Sequence, residues 1–372
     1  MKKIRTWFVL CMVCSLLLAG CINENSDENV QENTEHGTET FEIQSEVNGT
    51  IEDDSIPGAD TLSAGKCLEW DERRVVIPEV EQEYEIWFFA DSHIIIPDDS
   101  ASEEVQAYAA ERLSVFTNEK GVESSQILTE FIAFANDQKP DMVLFGGDIL
   151  DFPSEANIAF LKEELEKLMV PYVYVMGNHD WTFPWEYMTP EGAEKYRPLY
   201  DEVMYGNLIP ESVEGEKDEK SEADVALDVV NISGNSYSCV VELEDLVILA
   251  VDDSSNQVAA EAAEYIEYAY ETDKPVVLMQ HVPFSTEKLI TEAKNYWGNP
   301  VTIGMQVHGG IAPNDVSADL FGKVRDDDSN IRVVLAGHIH FPYEERISAQ
   351  TVEIITDAAF KGKATKMHIE WE

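Results

Sequence analysis

Polar residues with metal-binding side chains follow five short apolar runs of this sequence. Five of the eight histidines are among them, and a single histidine in such a place is usually structural. Ligand-type residues after all five runs make that explanation insufficient. Carboxylate, imidazole and amide groups without a thiolate suit a divalent ion such as Mn, Fe or Zn, and this number would serve two ions that share one carboxylate. The residues are Asp91, His93, Asp148, Asn178, His179, Asp180, His281, His338 and His340.

The apolar runs that precede these residues predict five buried strands. Each run is short and bounded by polar or turn-forming residues, as is typical of strands inside a sheet. Open α/β sheets bind their ligands at the carboxyl ends of the strands, so we expect the five polar clusters to meet there. The runs are 84–90, 141–145, 172–176, 275–280 and 331–336.

Segments with other periodicities lie between these strands. Residues 238–243 and 246–251 predict a hairpin, while 352–356 and 364–371 predict closing strands. Strands that alternate with helices and end in hairpins indicate an α/β sandwich with mixed sheets. The predicted helices, one of them capped by Ser154, are 105–116, 127–134, 154–168 and about 258–270.

The first 20 residues predict a secretory signal rather than part of the fold. Lys2, Lys3 and Arg5 precede an apolar stretch that closes with small residues before Cys21. This pattern resembles the lipobox of bacterial lipoproteins, which implies a lipid on Cys21 and a location on the outer side of a bacterial membrane. An ordinary signal peptide or a short anchor is the alternative.

Residues 21–66 are acidic and poor in large apolar side chains, which predicts a disordered tether before a domain at 67–372. The net charge is −48; residues 1–21 contribute +3 and residues 22–66 contribute −11, which leaves −40 on the domain. Such a charge repels the nucleic-acid backbone, so a nucleic-acid polymer is not an expected partner. A phosphate-bearing substrate would need local cations.

Two cysteines, Cys67 and Cys239, remain outside the leader. An oxidising exterior would permit a disulfide between them, and two separate thiols are at least as consistent with the sequence.

The polar clusters, taken together, resemble the signature of the calcineurin-like metallophosphoesterases. The chain contains all five blocks of that signature in order, from about Tyr84 to the carboxyl end. The resemblance implies an α/β/β/α sandwich of two mixed β-sheets flanked by helices, with a site for two divalent ions. The blocks are Asp91-Ser92-His93, Gly147-Asp148-Ile149-Leu150-Asp151, Gly177-Asn178-His179-Asp180, His281 and Gly337-His338-Ile339-His340.

The resemblance also implies roles for the matching residues. The expected ligands are Asp91, His93 and His340 for the first ion, Asn178, His281 and His338 for the second, and Asp148 for both. His179 is expected to contact the phosphate and protonate the leaving oxygen. Asp180 is expected to orient the His179 ring, and Asp151 to support the site without binding metal.

The activity implied is hydrolysis of small phosphate esters by water that the two ions activate. Hydrolysis of pyrophosphate linkages uses the same motifs. A non-catalytic surface lipoprotein that binds a ligand is the alternative from another class, although the complete set of ligands argues against it.

Other polar and aromatic residues have simpler interpretations. Residues 181–237 form a predicted insertion, which begins with Trp181 and contains Phe183 and Trp185; core packing is favoured over stacking on a substrate. His308 lies either beside the pocket or in a plain turn. Asp252 and Asp253 are expected to cap a helix together with Ser254 and Ser255.

Overall fold

Two β-sheets stack face to face and carry the site at one end. A computed structural model of the chain describes residues 43–46, 67–181, 228–230, 238–298, 303 and 314–371. The strands within these residues are β1 (Ile43–Glu46), β2 (Glu69–Val76), β3 (Tyr84–Phe89), β4 (Met142–Phe145), β5 (Tyr172–Tyr174), β6 (Asp228–Val230), β7 (Cys239–Glu242), β8 (Val247–Ala250), β9 (Val276–Met279), β10 (Ile331–Ala336), β11 (Tyr343–Arg346), β12 (Val352–Ile355) and β13 (Lys363–Glu370).

Both sheets are mixed. The strand order among the described residues is β1-β2-β13-β3-β4-β5 in the first sheet and β11-β12-β10-β9-β8-β7-β6 in the second. The neighbours β3, β4 and β5 are parallel, and so are β8, β9, β10 and β12. The carboxyl ends of each parallel group therefore meet at one edge of its sheet.

The main core lies between the inner faces of the two sheets. Ile86 and Leu144 from the first sheet pack with Ile248, Val277 and Leu335 from the second. All five are fully buried. Burial on both faces explains why the central strands read as continuous apolar runs rather than as alternating patterns.

Helices cover the outer faces and complete the predicted α/β/β/α sandwich. The helices α2 (Ser124–Gln138) and α3 (Glu155–Leu165) pack on the first sheet, whereas α4 (Ala263–Tyr270) and α6 (Asp315–Arg325) pack on the second. Ser154 caps α3 as predicted, because its side chain accepts a hydrogen bond from Asn157 N. The described helices are α1 (Glu103–Val115), α2 (Ser124–Gln138), α3 (Glu155–Leu165), α4 (Ala263–Tyr270), α5 (Glu287–Trp297) and α6 (Asp315–Arg325). None of the described helices is long and apolar enough to cross a membrane.

Two segments predicted to lie outside the sheets contribute edge strands. In the tether predicted at 21–66, Ile43–Glu46 pairs antiparallel with β2. In the predicted insertion, Asp228–Val230 pairs antiparallel with β7. Pairing with an edge strand uses backbone groups and requires no apolar period, so no pattern of side chains marked these strands in advance. The leader with Cys21, and most of the tether and the insertion, lie outside the described residues.

A buried carboxyl group in the second sheet makes folding stability dependent on pH. Burial raises the pKa of Glu353 from its ordinary 4.5 to about 8. Its Oε1 accepts a hydrogen bond from Phe284 N at 2.8 Å, and Oε2 has no hydrogen-bond partner among the described residues. Between these two pKa values the folded protein keeps a proton that the unfolded chain releases. Stability is therefore expected to fall as the pH rises through this window.

Glu353→Gln keeps the acceptor for Phe284 N and removes the titration. We expect the melting temperature of the variant, relative to that of the wild type, to increase as the pH rises from about 5 to about 8. Thermal unfolding across this range measures the difference. A difference that does not change with pH would contradict the assignment.

Candidate metal centre

The predicted site residues lie in loops that continue the strand pairing beyond the strands. Asp91 N donates to Gly147 O at 3.0 Å, and His93 N donates to Asp148 O at 2.9 Å. These bonds extend the β3–β4 pairing into the first two polar blocks. In the second sheet, Gly337 N donates to His281 O at 3.0 Å. Each loop is therefore held in register by its neighbour.

Asp91 joins the two sheets at the site. Its carboxylate accepts a hydrogen bond from His338 N, with 2.9 Å between this nitrogen and Oδ2. The bond holds the loop that follows β10 against Asp91. Its carbonyl oxygen accepts from Phe360 N at 3.1 Å, in the segment before β13. Polar blocks far apart in sequence are brought together by these contacts.

The backbone is in an uncommon conformation at most of the predicted ligands. Seven described non-glycine residues have positive φ, and five of them are predicted ligands. Such conformations cost free energy and persist only where the surroundings enforce them, most often at functional sites. The five are Asp91, His93, Asp148, His338 and His340, with φ between 47° and 73°.

The first group of converging ligand atoms comes from Asp91, His93, Asp148 and His340, and these atoms lie within 4.8 Å of one another. His93 Nε2 is 3.0 Å from His340 Nε2, and His340 Nε2 is 3.4 Å from Asp91 Oδ1. His93 Nε2 also lies 3.8 Å from Asp148 Oδ2. The group has the composition predicted for the first ion.

The second group comes from Asp148, His281 and His338, whose ligand atoms also lie within 4.8 Å of one another. His281 Nε2 is 3.3 Å from Asp148 Oδ2. Asp148 belongs to both groups, which is the position predicted for a bridging carboxylate. Asn178 is buried. The residue that follows it, His179, donates a hydrogen bond from its N to Asp148 Oδ1 at 2.7 Å.

The protonation of the rings shows that these residues fit divalent cations. His281 Nδ1 lies 2.8 Å from Gly146 O, a group that only accepts, so Nδ1 carries a proton. His281 Nε2 is buried without a hydrogen-bond partner among the described residues and faces the Asp148 carboxylate. His93 is similar, with Nδ1 3.2 Å from Asp151 Oδ1 and Nε2 directed at His340. Metal-binding histidines characteristically donate their other ring N–H in this way.

The charges of the site favour the ionised form of its shared carboxylate. Burial alone would raise the pKa of Asp148, but the imidazoles of His281, His179 and His93 outweigh it and hold this pKa well below its usual value. Burial likewise lowers the pKa of His281, yet Asp148 and Asp91 raise it to about 10. The carboxylates thus attract positive charge to His281 Nε2, the atom at which a cation would replace the proton.

The carboxylate beside the His179 ring is Asp151, not Asp180 as the sequence analysis predicted. His179 Nδ1 is 3.2 Å from Asp151 Oδ1 and 3.0 Å from Asp151 O. Asp180 instead accepts hydrogen bonds from Leu150 N and Gly177 N, both at 2.8 Å. Adjacent residues direct their side chains differently, so the residue after His179 is badly placed to hold its ring. Through these hydrogen bonds Asp180 connects the loop that follows β4 with the loop that follows β5.

Arg112, which the sequence analysis missed, holds Asp151 in place. Its Nε and Nη2 contact Asp151 Oδ2 and Oδ1 at 2.7 and 2.6 Å. Arg112 also lies over the Phe116 ring, which stacks on His93 with 4.1 Å between ring centroids. This arginine is in the last turn of α1, where the sequence offered no signal of a role.

Asp253 was misinterpreted as a helix cap. Its Oδ1 and Oδ2 accept hydrogen bonds from His281 N at 2.9 Å and Val282 N at 2.8 Å. Asp252 makes the local turn, since its Oδ1 accepts from Ser254 N and Oγ. Asp253 follows β8, which is parallel to β9, and this position after a buried strand was an available signal.

The remaining residues of interest belong to neither ligand group or lie outside the described ranges. Trp181 is 1% exposed and belongs to the core, as the packing interpretation predicted. Cys67 and Cys239 are free thiols. Phe183, Trp185 and His308 lie outside the described residues.

Gly177→Ala is expected to displace Asp148 and lower metal affinity. A Cβ at Gly177 would lie 2.1 Å from Asp148 Oδ1 and 2.4 Å from Asp148 N, so the carboxylate would have to move. Changes that misplace a ligand typically cost about 10- to 100-fold in metal affinity. Titration of the metal-free protein with Mn²⁺ measures the loss.

Gly322→Ala is the matched control, because a Cβ there meets nothing within 4 Å. Gly322 lies in α6, where alanine is expected to stabilise the helix by about 1 kcal/mol. Equal Mn²⁺ affinity in the two variants would contradict the role assigned to the Gly177 contact.

Comparison with known proteins associates the chain with phosphoesterases. A sequence model described as calcineurin-like phosphoesterase matches residues 84–342. A relative from Staphylococcus epidermidis, one of the subunits that make up the nuclease SbcCD, is 35% identical over 60 residues. The matched stretch spans 14% of this chain and only 16% of that protein.

Solved structures of two phosphatases are also similar to this chain. A dimetal phosphatase from Danio rerio is 10% identical, with 75% of this chain and 88% of that chain covered and a TM-score of 0.40. A purple acid phosphatase from yellow lupin is 12% identical, with 78% and 46% covered and a TM-score of 0.42.

Proposed function

We propose, for a chain that belongs to the calcineurin-like phosphoesterase family, that it hydrolyses small phosphate esters with the help of two divalent metal ions. The observation that carries the proposal is the pair of ligand groups that share Asp148. Two cations held by one carboxylate suit reactions in which a phosphate is attacked from one side and a leaving oxygen departs from the other.

The geometry supports the following assignment of ligands. When bound, the two cations would activate a water molecule and offset the negative charge of the phosphate. The absence of cysteine from both groups favours Mn, Fe or Zn in imidazole and carboxylate surroundings. The ligands are Asp91, His93 and His340 for one ion, Asn178, His281 and His338 for the other, and Asp148 for both.

His179 is the proposed proton donor to the leaving oxygen. Its side chain is 21% exposed, whereas the side chains of His93 and His281 are fully buried. His179 Nδ1 contacts Asp151, so we assign the donation to Nε2. Burial lowers the pKa of His179. The charges of Asp148 and Asp151 raise this pKa by more than burial lowers it, so the net shift is upward and favours the protonated ring.

The charge of the chain favours small substrates over polymers. A net charge of −48 opposes the approach of a nucleic-acid backbone. Although part of a nuclease is among the relatives, the matching stretch is short. The proposed substrates are phosphomonoesters or small phosphodiesters, and pyrophosphate linkages are the competing class.

The proposed location is the outer side of a bacterial cell membrane. A lipid on Cys21 would anchor the chain, with 21–66 as the spacer before the catalytic domain. Replacement of Cys21 by serine would release the protein from the membrane fraction if the anchor is a lipid on this residue. Retention of the variant in that fraction would contradict the anchor.

A substrate panel tests the proposed function directly. Metal-free protein is reloaded with Mn²⁺, Fe²⁺ or Zn²⁺ and assayed with a phosphomonoester, a small phosphodiester, a pyrophosphate and a DNA oligonucleotide. We expect turnover of at least one of the small esters and none of DNA. Two bound ions without any turnover would favour a binding protein, and preferred hydrolysis of pyrophosphate would replace the ester assignment.

A further inference from the structure

Two exposed aromatic residues lie beside the candidate metal centre. Tyr296 is 53% exposed and Trp297 is 38% exposed, and they form the last two positions of α5. The Trp297 ring centroid is 6.0 Å from that of His340, a proposed ligand. Among the other described tryptophans, Trp371 has a similar exposed fraction, but it lies at the end of β13 that is remote from the site. We call Tyr296 and Trp297 the aromatic ledge.

Neighbouring side chains hold the ledge in position. Tyr296 stacks on the buried Phe341 with 4.6 Å between ring centroids and an interplanar angle of 27°. Lys361 Nζ donates to Tyr296 OH at 3.1 Å. Trp297 packs edge-on against Tyr296, with 5.3 Å between centroids. The helix ends directly afterwards, at Gly298 in the left-handed conformation.

Lys361 connects the ledge to the metal centre. Besides Tyr296, it donates to His340 O at 2.5 Å and to Asp357 Oδ1 at 2.8 Å. The orientation of the ledge is therefore coupled to the backbone of a proposed ligand. A group bound on the ledge would lie next to a phosphate held at the site.

Tyr296 and Trp297 are much more exposed than the aromatic residues of the core. Trp87 and Trp181, two large aromatic residues of the core, are no more than 1% exposed. Leaving adjacent rings in contact with water forgoes the free energy that their burial would contribute. Grouped exposed aromatic residues beside a polar cleft are typical of ligand sites.

The chemistry of the ledge suits an uncharged planar group. The chain repels anions, so a substrate gains little from its surface outside the metal centre. Stacking on tyrosine and tryptophan is independent of charge and tolerates any flat ring. The leaving group of a phosphate ester is the part of the substrate that extends away from the metal ligands.

We propose that Tyr296 and Trp297 bind the leaving group of phosphate esters that carry a planar aromatic ring. This inference rests on the proposed function, whose substrate class it narrows. The ring is either an aryl group bonded directly to the phosphate oxygen or a nucleobase joined through its sugar.

Steady-state kinetics with three substrates tests the ledge. Metal-loaded wild type and Trp297→Ala are compared on phenyl phosphate, a nucleoside monophosphate and glycerol phosphate. Stacking on one ring is worth about 1–3 kcal/mol, which corresponds to about 5- to 150-fold in affinity at 1.4 kcal/mol per tenfold. We expect KM to rise by such a factor for an aromatic substrate and by less than about twofold for glycerol phosphate.

The response of the two aromatic substrates distinguishes the aryl group from the nucleobase. Trp297→Phe retains a flat ring and is expected to restore most of the loss, and Trp371→Ala is the control for an exposed tryptophan remote from the site. Equal changes on all three substrates, or no change on either aromatic one, would overturn the inference.

A binding measurement separates this inference from the proposed function. Calorimetric titration of metal-loaded protein with the nucleoside monophosphate and with glycerol phosphate requires no turnover. Weaker binding of only the nucleotide by Trp297→Ala would support the ledge even if no ester is hydrolysed. Hydrolysis of glycerol phosphate by the wild type, together with equal nucleotide affinity in the wild type and Trp297→Ala, would support the proposed function and contradict the role of the ledge.

Discussion

Asp148→Asn is expected to lower kcat/KM for phosphate esters by about 1000-fold or more. Asp148 is the residue common to both ligand groups, and its Oδ2 faces His281 and His93. Bound metal ions supply several kcal/mol of transition-state stabilisation, and each 1.36 kcal/mol is tenfold in rate. An amide has the same shape but no charge to offset two cations, so the ions themselves should be lost.

Metal content and activity measured on the same preparation check this expectation. Asp141→Asn is the matched control, because Asp141 immediately precedes the same strand, β4, and its Oδ2 accepts a hydrogen bond from Glu85 N at 2.7 Å. We expect the control to retain both ions and its activity. A fully loaded Asp148→Asn protein with unchanged kcat/KM would exclude the bridging role.

His179→Gln is expected to reduce kcat by about 100- to 10,000-fold for alkyl phosphates, the range typical of a lost general acid. Alkoxide leaving groups need a proton as the bond breaks, whereas 4-nitrophenolate leaves without one. The loss on 4-nitrophenyl phosphate should therefore be much smaller. His179 belongs to neither proposed ion's ligand set, so two ions per chain should remain bound.

The ratio of the losses on the two substrates measures proton donation apart from phosphate binding. His368→Gln provides the control, since the His368 side chain is 44% exposed and lies on β13 beside Glu85. The same loss on both substrates would assign His179 to phosphate binding. Loss of an ion would make it a ligand.

The sequence predicted the strands and the convergence of their polar ends because both follow from local patterns. Buried strands such as β4 and β9 are continuous apolar runs, and their carboxyl ends meet whenever they are parallel. Asp91, Asp148 and His281 are predictable from this rule alone. Helices that alternate with the strands indicate an α/β sandwich with mixed sheets, whereas the order of its layers was implied by the resemblance to the family.

The contacts of the supporting residues could not be predicted because their partners are distant in sequence. Arg112 reaches Asp151 from a helix that carries no motif, and Asp253 accepts from His281 N although 28 positions separate the two residues. The error over Asp180 has the same origin. Proximity in sequence suggested a contact with His179 that the direction of the side chain does not allow.

The ligands proposed for each ion come from separate layers of the sandwich. Asp91 and His93 follow β3 of the first sheet, whereas His340 follows β10 of the second. The Asp91 carboxylate also accepts a hydrogen bond from His338 N across the boundary between the two sheets. Cations bound there would add cross-links between halves of the polypeptide that side-chain packing and hydrogen bonds also hold together. A chelator would consequently do more than stop turnover, because the demetallated chain would also resist heat and proteases less well.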